Sequence, residues 1–167
     1  VSIRNQRALL EAMAEWGAQE ADASRLADHV RAALARQISH QYADANRVIS
    51  AFVLAPTLEE QLRSAVRRQD SGRDSLPEPI CRFLLMQLRE ACQPLPDVQH
   101  AVLLVHAELR RILRRLVVRG DIELAVLSFR ELAGEYNLQA LGSISLNDIT
   151  HHRVSDDAPV TSLANVS

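Results

Sequence analysis

The residues most able to do chemistry stand in one short run, DHVRAALARQISHQYA at 28–43, which holds His29, Arg31, Arg36 and His40 behind Asp28. Two histidines could ligate a metal, and a histidine beside a serine could activate a nucleophile. The spacing opposes both. His29 and His40 are eleven residues apart, so on a helix they share a face but sit about three turns, roughly 16 Å, from each other. Metal ligands must converge to within ~2 Å of one point. Ser39 and His40 are chain neighbours and point apart on a helix, so they form no nucleophile–base pair. Arg36, one turn before His40, disfavours an imidazolium there. What is left is surface chemistry. Asp28, Arg31, Arg36 and His40 carry both signs of charge and are expected to rim a packed stripe of Leu26, Val30, Ala33, Leu34 and Ile38, facing solvent or another chain.

A second group lies at 108–119, ELRRILRRLVVR, with Arg110, Arg111, Arg114 and Arg115. A basic helix invites a nucleic-acid reading. These arginines, however, flank an apolar stripe on both sides, as on any solvated helix, and no aromatic residue is interleaved among them. A solvated or protein-facing surface is the expectation; a nucleic-acid-binding regulator is the alternative, and steeply salt-dependent DNA affinity would favour it. The five glycines, at 17, 72, 120, 134 and 142, are isolated, so no phosphate-cradling loop exists. There is no Gly-x-Ser-x-Gly elbow. His151 and His152 fall in a tail without partners to complete a ligand set. Cys81 and Cys92 share one apparent helix about 16 Å apart, too far to bridge, and a reducing compartment is the simplest setting. No catalytic, metal-binding or cofactor-binding residue is expected, hence no bound zinc and no nucleotide hydrolysis.

The elements that would position these residues follow from hydrophobic period. Nearly half of the 167 residues are hydrophobic, enough for a core, and the net charge of −2 gives no general pull towards nucleic acid or anionic lipid. All nineteen basic residues are arginine. Helical spacing runs over 4–16, where Leu9, Leu10, Met13 and Trp16 share a face, and over 23–43. After residue 46 the period changes. VISAFVL (48–54), AVLLV (101–105), ELAVL (123–127) and LQALGSI (138–144) read as buried strands. Helices follow Pro56 and Pro77, a third runs from 108 to a cap at Gly120, and a short turn covers 129–135. The loop at 70–75 and the prolines Pro94 and Pro96 punctuate the middle. The fold class is therefore mixed: a helical subdomain (1–46), then a small α/β subdomain with a four-stranded sheet (47–146), then a tail (147–167) without sustained period. No stretch approaches the ~20 apolar residues of a membrane span. The chain opens on Val1 rather than an initiator Met, so it is expected to be a piece of a longer polypeptide.

Six segments in series, VSIRNQRALLEAMAEW, LADHVRAALARQISHQYA, FVLAPTLEEQL, VLLVHAELRRILRRLV, LAVLSFREL and LQALGSI, resemble the C-terminal part of the large export-gate proteins of flagellar and virulence type III secretion systems, the FHIPEP family. The likeness covers about residues 1–146, and AEW at 14–16 looks more like the virulence branch. Gln6 and Arg7 stand where the family tends to be apolar, so the first helix is expected to be more exposed here. The resemblance implies a parent with an N-terminal membrane region and a cytoplasmic region of four subdomains, of which this chain would be the third and fourth. It implies a nine-membered ring at the cytoplasmic face of the bacterial inner membrane, with other export-apparatus components, chaperone–substrate complexes and gatekeeper proteins as partners. It implies no enzyme activity and no nucleic acid. On that footing Asp28, Arg31, Arg36 and His40 are candidates for the subunit contact, and exchanging Arg31 and Arg36 for glutamate is expected to abolish rings with the fold intact.

Overall fold

The computed structural model describes residues 3–68, 76–93 and 101–145, with backbone alone for 3–5 and 24. The expected loop at 70–75, the prolines at 94 and 96, the histidine pair at 151–152 and the tail from 147 lie outside these residues. In chain order the elements are α1 (Ile3–Trp16), α2 (Ala23–Ala33), α3 (Ala35–Tyr42), β1 (Val48–Leu54), α4 (Pro56–Arg68), α5 (Glu78–Cys92), β2 (Val102–Val105), α6 (Ala107–Arg119), β3 (Ala125–Ser128), a 3₁₀ turn (Phe129–Glu131) and β4 (Asn137–Ile144).

The four expected strands form one sheet in the order β3-β2-β1-β4, and every pairing is parallel. Parallel strands need crossovers, which cover the faces of the sheet and demand strands apolar on both sides. That is why VISAFVL and VLLV read as continuous apolar runs; all four residues of β2 are buried. On one face α4, α5 and α6 lay Leu58, Leu62, Leu84, Leu88, Leu109 and Leu113 against Phe52, Leu103, Val105 and Val126. On the other face a smaller cluster of Ile49, Ala51, Val102, Leu104 and Leu127 is covered by Ile38 and Tyr42 of α3 with Leu132 and Tyr136. His106 caps α6, its Nδ1 accepting from the Glu108 N–H at 3.4 Å, while the Glu59 carboxylate accepts from the His106 N–H at 2.7 Å. Gly120 closes α6 with φ −83°. A Cβ there would lie 2.2 Å from Leu85 Cδ2, so any larger residue would have to push that side chain aside.

Three details differ from the expectation. The helix over 23–43 is two helices, broken at Leu34, whose φ of −94° and ψ of 12° leave the helical basin. The Leu34 N–H is shared between the carbonyls of Val30 and Arg31, both at 3.1 Å. The physical reason is that α2 packs on α1 whereas α3 packs on the sheet, and one straight rod cannot serve both. The stripe on α2 and α3 is also shallower than expected. Leu26, Val30, Leu34 and Ile38 are half-buried and Ala33 is exposed, while Ser39, off the stripe, is fully buried. Lastly, α1 buries Ala12 and leaves Leu9, Leu10 and Met13 exposed, while Trp16 lies flat on the His29 ring with centroids 4.0 Å apart. The expected exposure of Arg7 holds, its side chain being 81% accessible. No helix among the described residues is long and apolar enough to cross a membrane.

Candidate protein-interaction site

The charged residues singled out in the sequence divide into an internal node and an external rim. The node centres on Glu131, 2% exposed at the end of the 3₁₀ turn. Arg31 of α2 reaches it with Nη2 at 2.6 Å from Oε2, and Arg110 of α6 brings Nε to 3.2 Å from Oε1. Ser128 donates its hydroxyl to Oε1 at 3.0 Å, and Arg110 Nη2 donates to Asp28 at 2.9 Å. Next to this, the Ala133 N–H donates to the buried Ser39 hydroxyl at 2.9 Å. One buried carboxylate thus joins α2, α6 and the segment after β3. A buried charge is tolerated only when paired and hydrogen-bonded, and Glu131 is both. Burial opposes the Arg31 charge, but the hydrogen bond and charge of Glu131 outweigh it, so the Arg31 pKa is raised.

Arg31, expected on the rim, is ion-paired to Glu131 within the chain, with its side chain still 35% exposed. The double exchange of Arg31 and Arg36 for glutamate would set one carboxylate against another at 131, so it is expected to destabilise the chain as well as change its surface. Arg110 is likewise internal, with a side chain only 13% exposed, so the basic face of α6 narrows to Arg111, Arg114 and Arg115. Sequence reasoning missed Glu131. A single glutamate in the short apolar segment LSFREL carries no periodic signal, and its two partners lie 21 and 100 positions away.

The rim is formed by Arg36 and His40, both exposed on α3. Arg36 Nε lies 2.6 Å from Glu135, and Arg36, His40, Asp44, Arg47, Glu135 and Tyr136 border a surface cavity of about 640 Å³. Mixed signs on a rigid helix are suited to fixing the orientation of a partner. A separate charged cluster joins α4 to α6. Arg63 and Arg67 each approach Glu108 to 3.1 Å. The hydrogen bond from Arg63, then that from Arg67, holds the Glu108 carboxyl below its ordinary range despite some burial. Among the described residues no group of three or more His, Cys, Asp or Glu could hold a metal ion. Cys81 is buried and Cys92 half-buried, both free, and burial raises the Cys92 thiol pKa. His29 and His40, eleven positions apart in sequence, now sit on separate helices, α2 and α3.

The FHIPEP family matches residues 1–137. The chain belongs to that family. Among curated relatives, the low calcium response locus protein D of Yersinia pestis is 38% identical over 148 residues, covering 87% of this chain and 21% of its own length. The chain thus spans about a fifth of the curated relatives it matches. Two solved structures share its fold. The cryo-EM structure of the nonameric EscV cytosolic domain from the type III secretion system matches with a TM-score of 0.69 at 25% identity, over 86% of this chain and 43% of that one. Chlamydia pneumoniae CdsV, in its complex with CdsO, matches with a TM-score of 0.72 at 31% identity, over 84% of this chain and 41% of that one. The expected fold class, family and virulence-branch relatives are therefore found, and the export-gate family of type III secretion is the functional frame.

Proposed function

We propose that this chain is a non-enzymatic assembly and docking module of a type III secretion export gate. Within a longer parent it takes part in a homo-oligomeric ring on the cytoplasmic face of the bacterial inner membrane, where it helps to receive chaperone–substrate complexes, gatekeeper proteins and other export-apparatus components. The membrane is reached only through the parent's other region. The observation that carries this reading is the likeness, over 86% of the chain, to a cytosolic domain solved as a nonamer. Residues 1–46 and 47–146 serve as the helical, ring-contact part and the α/β part.

In a ring each subunit meets its neighbour head to tail, so two different patches must complement each other. Arg36 and His40 supply one such patch, with Asp28 at its border; the exposed Leu9, Leu10 and Met13 of α1 give the same helical part an apolar surface to cover. Arg111, Arg114 and Arg115 form a second, protein-facing patch. The isolated chain is expected to be mostly monomeric at micromolar concentration, because the parent's membrane region concentrates its neighbours. The test is Arg36→Glu in the membrane-tethered parent. Arg36 is exposed and pairs with the exposed carboxylate of Glu135, so the fold should survive; rings seen by electron microscopy and secretion should both be lost. Normal rings and secretion in that variant would place the contact elsewhere.

A further inference from the structure

The helices α1 and α2 meet the rest of the chain in a way that α3 does not. Among the described residues, none of α1 or α2 belongs to either hydrophobic cluster of the sheet. They pack on each other instead, with the Trp16 ring flat on that of His29, and so form one hairpin. Helix α3 lies on the other side of the division. Its Ile38 and Tyr42 pack in the smaller sheet cluster, its fully buried Ser39 accepts from the Ala133 N–H at 2.9 Å, and Ala43 bridges to Ile49. Between the hairpin and α3 stands the helix break at Leu34.

Two ion pairs span the joint: Arg31 to Glu131 at 2.6 Å, and Asp28 to Arg110 at 2.9 Å. The packing around them is incomplete. Arg31 and Arg110 border a cavity of about 570 Å³ together with Tyr42 and the segment 123–127. Each also keeps a buried Nε–H without a hydrogen-bond partner among the described residues. A cavity and orphan donors are not the packing of a core. Opening the joint would give up two ion pairs, but it would also return Glu131 and both orphan donors to water. For a buried pair these opposing quantities nearly cancel, so the closed joint is held by a small margin.

We infer that α1 and α2 form one arm that swings about Leu34 and is latched to the α/β body by the Arg31–Glu131 and Asp28–Arg110 ion pairs. The boundary between the two bodies lies at Leu34, inside the helical part, and not at the change of hydrophobic period after residue 46; α3 travels with the sheet. The exposed Leu10 and Met13 of α1 and the charged rim of Arg36 and His40 on α3 therefore stand on opposite sides of the joint, and the latch sets the angle between them. The inference stands independently of the subunit contact proposed above, since the joint lies within one chain.

The experiment uses the whole chain with Cys81→Ser and Cys92→Ser, carrying two nitroxide labels on introduced cysteines. One pair crosses the joint, at Glu15→Cys on α1 and Gln61→Cys on α4; the other stays within the body, at Gln37→Cys on α3 and Gln61→Cys. Pulsed electron resonance reads the distance distributions. At about 0.1 M salt the cross-joint pair should give one dominant distance. Asp28→Asn should raise a second, displaced population about fivefold, the weight of one partly exposed ion pair. Salt at about 1 M, which shortens the screening length from about 10 Å to about 3 Å, should act in the same direction, because the Asp28 and Arg31 side chains are 38% and 35% exposed. The Gln37 pair should keep one distance throughout. Cross-joint distances unchanged by both perturbations, or a Gln37 pair that broadens as much as the Glu15 pair, would overturn the inference. The salt series keeps Asp28 in place, so it decides the matter even if circular dichroism shows the Asp28→Asn chain to be unfolded.

Discussion

Replacing Glu131 by glutamine isolates what the buried carboxylate contributes. The amide keeps the shape and one acceptor oxygen, so Arg31 and Ser128 still have something to meet, and no cavity opens. The charge is lost, and Arg31 and Arg110 then face each other across a neutral group. Removing one partner of a fully buried pair costs about 3–5 kcal/mol. Glu131 is buried and Arg110 is half-buried, and the Arg31 side chain is 35% exposed, so water can take up part of its charge. The lower end, about 3 kcal/mol, is therefore expected. At roughly 3 °C per kcal/mol for a chain of this size, the thermal midpoint falls by about 10 °C. Urea denaturation followed by circular dichroism gives the free energy, and a double-mutant cycle with Arg31→Met separates the pair from the rest of the node. A loss below about 1 kcal/mol, or a coupling energy indistinguishable from zero, would mean that the carboxylate is merely tolerated and does not join the helices to the sheet.

Three further outcomes follow from the same contacts. Leu113→Ala, at a fully buried position, should cost about 2–5 kcal/mol, and the half-buried Leu34→Ala clearly less; equal losses in urea denaturation would refute the burial assignment. Glu108, its pKa held below the ordinary value of 4.5 by Arg63 and then Arg67, contributes stability that is complete above that value and is lost as pH falls through its folded pKa. Glu108→Gln should therefore flatten the acid limb of the stability profile, and added salt should shrink the difference because the group is partly exposed; an unchanged limb would count against it. The chain has one tryptophan, and it lies flat on His29, so His29→Ala should change the intensity of Trp16 emission in the native state while leaving the unfolded spectrum alone.

Much of the fold was legible because its physical cause is local. Period and turn chemistry marked every strand and all the helices from 56 onward, since each buries a stripe whose spacing is written in the chain. The break at Leu34 was not legible. No proline or glycine marks it, and it exists because two parts of one amphipathic run pack against different elements. The exposed face of α1 misled for the opposite reason: its leucines have helical spacing, but nothing among the described residues covers them. The charged residues were recognised as types and misjudged as positions. Arg31 and Arg36 look alike in their VRA and ARQ contexts, and only the arrival of Glu131, a hundred residues after Arg31, draws one inward and leaves the other in solvent. Candidate subunit-contact residues read from a helical wheel are vulnerable to any buried counter-charge from a distant segment.

The sheet also fixes an order of events in the making of this protein. Strand β1 is central, yet its β4 partner begins at Asn137, 89 residues after Val48, and parallel pairing of such distant segments is intrinsically slow. While the chain emerges from the ribosome, β1 can pair with β2 and β2 then with β3, but the other edge of β1, seven residues of VISAFVL, stays bare until Ile144 has been made. An apolar strand with a bare edge is a template for a second copy of itself. Where many copies are translated close together, completion of β4 is the step that separates folding from aggregation, and a stop codon before 137 should yield inclusion bodies instead of a smaller soluble product.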